Sequence, residues 1–152
     1  MINAIDVARY IVAYFHECED PITNLKLQKL LYYVQGWHLA IEDKEAFPEN
    51  FQAWVHGPVI REIYDKFKSY RWNPISEAID TPILPDTIRD LIDEVLEVYG
   101  ADSAFALEQR THLEMPWLRA RTGLNPDEAS NNIIDKEWMK EFFGELANAE
   151  QS

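Results

Sequence analysis

The sequence predicts a mainly α-helical fold: a compact single domain of about six to seven helices around a central helix, with a small β-hairpin or short strand element. Three observations lead there. Apolar residues recur at spacings of three and four along most of the chain, the period of an amphipathic helix. One such stretch, 23–40, carries large side chains on both faces and so needs neighbours on both sides. Only 47–55 alternates as a strand does, and it runs into a glycine–proline pair. A length of 152 residues sets one domain as the default and suffices to bury a core without staples.

The first helix is expected over 2–18, with Ile5, Ala8, Ile11, Val12 and Phe15 on its apolar face and Asn3 as N-cap. Pro21 ends it by disfavouring helix at the residue before. The central helix follows, capped by Thr23 or Asn24, and fades near 42–44. Leu27, Leu30, Leu31, Val34, His38 and Ile41 make its apolar face. Lys26, Lys29, Tyr33 and Gly36 lie opposite, with Tyr32 and Trp37 on the flanks. Aromatics and a glycine on an outer face imply close cover there, while Lys26, Lys29 and Tyr33 read as a partly exposed site.

In 47–55, Phe51, Ala53 and Val55 alternate with Gln52 and Trp54. His56-Gly57-Pro58 then reads as a helix start, with Gly57 as N-cap and Pro58 in the first turn. Val59, Ile60, Ile63, Tyr64 and Phe67 supply the third helix's buried side. Residues 70–84 are irregular, with a short strand around 74–79. A fourth helix over 86–99 carries Ile88, Leu91, Ile92, Val95, Leu96 and Tyr99, and stops at Gly100. Ser103 caps a short fifth helix through Ala106, Leu107 and Arg110. A turn over 111–117 leads to a sixth near Leu118 and Arg119, and 122–132 is a loop. Asp135 caps the last helix, with Trp138, Met139, Phe142, Phe143 and Leu146 at core spacing. The domain is expected over 1–147, with a frayed tail at 148–152.

Composition narrows the function classes. A hydrophobic share of 47% with 12% aromatics excludes general disorder. No apolar run reaches the ~18 residues of a membrane span, and no signal segment opens the chain. Cys18 is the single cysteine, which excludes an internal disulfide and a cysteine-based zinc cluster. A soluble, cytoplasmic protein is the resulting expectation. The net charge is −13, with −6 on 71–102, −5 on 126–152 and +1 on 103–125. Such a chain repels phosphate backbones and attracts basic partners; the same charge also serves solubility.

No catalytic constellation emerges. His38, His56 and His112 lie on different elements and were they to converge would allow a metal or hydrolase site. None has the paired spacing of helix-borne zinc proteases, and His112-Leu113-Glu114 lacks the cysteine pair of zinc deaminases. His38 and His112 read instead as buried, hydrogen-bonded groups. Carboxylates flank Cys18 and disfavour its thiolate, and no serine sits in a nucleophile elbow. None of the 5 glycines cluster into a phosphate loop. Trp138 reads as core; Trp54 and Trp117 fit core or interface. The scarce basic residues gather in the same segments as these motifs, as ion-pair partners or as a local recognition patch.

Residues 24–38, Asn-Leu-Lys-Leu-Gln-Lys-Leu-Leu-Tyr-Tyr-Val-Gln-Gly-Trp-His, resemble the opening signature of the Panacea domain family, also described as SocA-like or as phage-associated Gep proteins. Trp54-Val55-His56-Gly57-Pro58-Val59 resembles its second signature, and Thr111-His112 followed by Pro116-Trp117 its third. The resemblance covers nearly the whole chain. It implies an antitoxin that neutralises a toxin encoded beside it by direct protein contact, with no enzymatic activity and no cofactor or metal. Some members add a helix-turn-helix segment, which is not expected within these 152 residues. The expected partner is a cognate toxin, with no direct nucleic-acid or membrane binding. The residues expected to meet it are Lys26, Lys29, Tyr33, Trp37, Trp54, His56, Arg61, Tyr64, His112, Trp117 and Arg119. The other readings are a phage-derived adaptor for a host protein and a histidine-based hydrolase.

Overall fold

The computed structural model describes residues 2–151. Their order is α1 (Ala4–Glu17), α2 (Asn24–Glu42), β1 (Gln52–Trp54), β2 (Gly57–Val59), α3 (Arg61–Phe67), α4 (Asp86–Tyr99), α5 (Ala104–Thr111), α6 (Met115–Ala120) and α7 (Lys136–Gln151). The fold is mainly α with a two-stranded antiparallel sheet, as the periodicity predicts. The expected 148–152 tail falls on the last turn of α7 and on Ser152, which lies outside the described residues.

α2 is the axis. Thr23 caps it, its side chain accepting from the Lys26 N–H. α1, α4, α5, α7 and the hairpin all pack on it. Both faces are buried, including Leu27, Leu30, Leu31 and Val34 on one and Lys29, Tyr33 and Gly36 on the other. Tyr33 stacks on Tyr99 of α4 with ring centroids 4.0 Å apart. Tyr32 meets Phe51 and Phe143 edge-on. Gly36 lies under Phe143 of α7, where an added Cβ would fall 2.1 Å from the ring. The glycine therefore admits α7, which supplies the close cover expected of that face.

Two buried glutamines fasten loops to α2. Gln28 donates to Asn24 Oδ1 at 3.0 Å and accepts from the Ile60 N–H at 2.9 Å. Gln35 donates to the Phe47 carbonyl at 2.8 Å and accepts from the Ala46 N–H at 2.7 Å. Each thus has donor and acceptor matched, which makes its burial affordable. α1 joins α4 through the Tyr10 hydroxyl, which donates to Asp93 at 2.6 Å.

Four expectations are corrected. Gly57-Pro58 does not start a helix; it opens β2, paired as Trp54↔Gly57, Ala53↔Pro58 and Gln52↔Val59. Gly57 has φ +112°, which suits the residue closing the tight Val55-His56 turn, and the helix waits until Arg61. Residues 74–79 form no strand; Ile75 instead bonds to the Ile22 carbonyl and accepts from His16. Ile41 is 57% exposed because α2 outruns its cover there. Lys29 and Tyr33 are buried, being 1% and 0% exposed, because the hairpin, α4 and α5 close over them.

Candidate partner-binding site

The three sequence motifs meet at the hairpin. Gly57 sits on the side chains of Lys29 and Thr111, and a Cβ there would lie 2.4 Å from Lys29 Cε and 3.0 Å from Thr111 Oγ1. One glycine thus brings residues of all three motifs into contact. Lys29 Nζ donates to the Pro58 carbonyl at 3.4 Å. Burial pushes its pKa down to about 8, and the nearby Glu108 carboxylate opposes the shift. Glu108 lies 3.0 Å from His56 Nδ1, so it bridges the hairpin turn to α5. Thr111 is buried and donates to the Glu108 carbonyl.

Trp117 is the pillar beneath. It is 5% exposed, its Nε1 donates to the Trp54 carbonyl at 2.8 Å, and His112 stacks on it at 4.2 Å. Its place is in the core. Burial lowers the His112 pKa; Glu108 pulls it up, as does a hydrogen bond with the Val55 backbone, and Lys29 and His56 push it down. His112 Nε2 is buried without a hydrogen-bond partner, so the expected full satisfaction of this ring is corrected. His38 meets that expectation, with Nδ1 2.7 Å from the Lys44 carbonyl. That position takes it away from a shared site with His56 and His112, and among the described residues no three His, Cys, Asp or Glu side chains are placed to hold a metal.

The solvent-facing part is a groove of about 620 Å³ lined by Trp54, His56, Arg61 and Tyr64, with Lys68 and Asn131. Trp54 and Tyr64 meet edge-on at 4.9 Å, and the Arg61 guanidinium lies 5.7 Å from the Trp54 ring. Asp65 pairs with both Arg61 and Lys68. The groove is therefore aromatic and mildly basic on an otherwise acidic chain.

The other expected residues are placed elsewhere. Lys26 Nζ donates to the Gly100 carbonyl at 2.6 Å, at the C-terminus of α4, where the helix dipole favours a cation. Trp37 donates to the Tyr99 hydroxyl at 3.0 Å and lines a different cleft. Arg119 lies over Trp138, 4.7 Å from its centroid, joining α6 to α7. Tyr33 donates to both oxygens of Glu114 at 3.2 Å. Burial pushes the Glu114 carboxyl up to about 8, against the Tyr33 hydrogen bond and the Arg110 charge.

Arg121 escaped the sequence reading of the site. It is buried, donates to the Ala53 carbonyl at 2.8 Å, and donates also to the Asn125 and Glu128 carbonyls. Its guanidinium lies 5.0 Å from the Trp117 ring. The signal was its membership in the scarce basic cluster beside Trp117. Arg121→Ala should destabilise the domain by about 2–3 kcal/mol, since it orphans the buried Ala53 carbonyl and removes the two bonds that hold the Asn125 and Glu128 carbonyls. Denaturant titration reads the loss, and amide exchange should rise over 122–132; unchanged exchange there would show that Arg121 does not hold the loop.

Comparison with known proteins places this geometry. The profile of the SocA-like antitoxin family, the Panacea domain, matches residues 27–118. The chain belongs to the SocA-like Panacea family. Antitoxin SocA of Caulobacter vibrioides (strain NA1000 / CB15N) is 31% identical over 131 residues, spanning 76% of this chain and 69% of that protein. No solved structure matches the chain significantly. The Panacea match runs from α2 into α6 and so contains the second and third motifs and the first from Leu27 onward, while Arg121, Asn131, α1 and α7 lie outside it. Membership supports an antitoxin role, which implies a toxin partner in general and favours a non-enzymatic function. Among the described residues no helix is long and apolar enough to cross a membrane.

Proposed function

We propose that this Panacea domain neutralises a toxin encoded by a neighbouring gene, in the cytoplasm, by direct protein contact through the Trp54 groove. The supporting observation is how that groove is made. Residues of the first and third motifs, Lys29, Thr111, His112 and Trp117, brace the hairpin of the second from beneath. What the bracing presents is a rigid aromatic and cationic surface, Trp54, His56, Arg61 and Tyr64, of the composition found at interface hot spots. The acidic remainder of the chain opposes nucleic-acid binding and speeds encounter with a basic protein.

Co-expression with the neighbouring gene product is the test. The product should arrest growth alone, and the domain should restore growth and co-purify with it. Trp54→Ala and Arg61→Ala should each weaken the complex by about 2 kcal/mol, with the melting temperature nearly kept. A product that is harmless alone, or that does not bind, ends the antitoxin reading; an unaffected complex moves the interface off the groove.

A further inference from the structure

A second surface shares no residue with the Trp54 groove. α2 and α4 leave between them a cleft of about 270 Å³, with Glu150 of α7 on its wall. Trp37 and Ile41 stand one turn apart on α2, and Glu94 and Val98 one turn apart on α4. The hydrogen bond from Trp37 to the Tyr99 hydroxyl fixes the indole as part of the wall. Leu91 and Val95 close the floor, whereas Ile41 and Val98 stand open, the latter 66% exposed.

Charge sets the rest of its character. Glu94, Glu97 and Glu150 line the cleft, and no lysine or arginine does. No ion pair joins these glutamates to another described residue. Asp86 and Asp90, by contrast, are matched by Arg89, and Glu45 by Lys136. A complementary partner must bring apolar side chains to Ile41 and Val98 and cations to the glutamates. An amphipathic helix with lysines or arginines flanking its apolar stripe does both, its charged side chains reaching the rim while their stems cover apolar surface. An acidic partner would leave like charges facing one another.

We infer that the α2–α4 cleft docks a basic amphipathic helix of the protein partner. This rests on the neutralisation reading and gives the toxin a second face to engage. The first test needs no toxin. A synthetic leucine–lysine helical peptide, with a leucine–glutamate peptide as control, is titrated into the full chain while methyl resonances are followed. The lysine peptide should shift the Ile41 and Val98 methyls, and the glutamate peptide should not. Glu94→Lys with Glu97→Lys should weaken binding about tenfold or more, whereas Glu141→Lys with Glu145→Lys on α7 should leave it within about twofold. All four glutamates are exposed, so both variants should keep their melting temperature. Equal weakening by both pairs would reduce the binding to diffuse attraction by net charge and overturn the inference, as would methyl shifts elsewhere. With the toxin, the outcomes separate. Failure of the unmodified chain to hold it removes the neutralisation reading, whereas equal retention by the Glu94→Lys, Glu97→Lys variant removes the cleft alone.

Discussion

Gly36→Ala should destabilise the domain by about 3 kcal/mol, towards the upper end of overpacking effects. Alanine is the better helix former, worth about 1 kcal/mol in the opposite direction at an exposed site. That gain cannot decide the outcome here. Three ring carbons of Phe143 lie within 2.7 Å of where the new methyl would stand, and ring and helix cannot both keep their places. Phe143 is itself hemmed in by Tyr32, Tyr33, Trp37 and Phe142, so the ring has no vacant direction to turn. Phe143→Ala alone should cost about 3–5 kcal/mol through the void it leaves. The double variant should cost clearly less than the two losses added, because each substitution removes the other's reason for harm. Urea denaturation of the four proteins provides the cycle. Additive losses would show that Gly36 and Phe143 do not share the seam between α2 and α7.

Glu114→Gln should change the pH dependence of stability more than any other substitution at a single ionisable site. In the folded chain burial raises this carboxyl from 4.5 to about 8, so at neutral pH it is mostly protonated. Between those values the folded state holds a proton that the unfolded state has released, and folding takes one up. Stability therefore falls as pH rises from 4.5 to 8, and the full penalty stands above that. Glutamine keeps an acceptor for the Tyr33 hydroxyl and carries no titrating proton. The variant should gain on the parent by roughly 2–4 kcal/mol between pH 5 and pH 8.5, and the parent's slope over that range should flatten. Lys29 does not confuse the measurement. Its penalty is present below about 8 and is relieved as pH rises towards 10.5, a separate window. Parallel stability curves for parent and variant would refute a buried, protonated Glu114.

How much of this the sequence shows depends on the range of the interaction. α4 was legible to the residue, because Ile88, Leu91, Ile92, Val95, Leu96 and Tyr99 state their burial locally. α2 was legible as a covered axis because aromatics and a glycine on an outer face contradict a solvent surface. The hairpin was half legible. Alternation marked β1, but Gly57-Pro58 imitates a helix start, and only its pairing with Gln52–Trp54 and the Ile60–Gln28 bond decides for a strand. Lys29, Glu114 and Arg121 look like surface charges in the sequence. Their burial follows from three elements meeting far apart along the chain, which no local pattern records. The same reason separates the expected partner-binding residues: Trp54, His56, Arg61 and Tyr64 converge, while Lys26, Trp37 and Arg119 serve other junctions.

β1 has two edges, and they are closed at very different moments of synthesis. β2 covers one edge within a few residues of chain. The other is covered by 132–134, where Ala53 donates to the Asn132 carbonyl, Ile134 donates to the Phe51 carbonyl, and Gln52 bridges to Ile133. A ribosome thus releases the family-matched core, 27–118, with an unpaired strand edge and with the Gly36 notch still open, since Phe143 has yet to arrive. An open edge recruits other chains. The closing segment is therefore a guard against misassociation during translation, and nascent chains stalled before residue 132 should be the ones that chaperones retain.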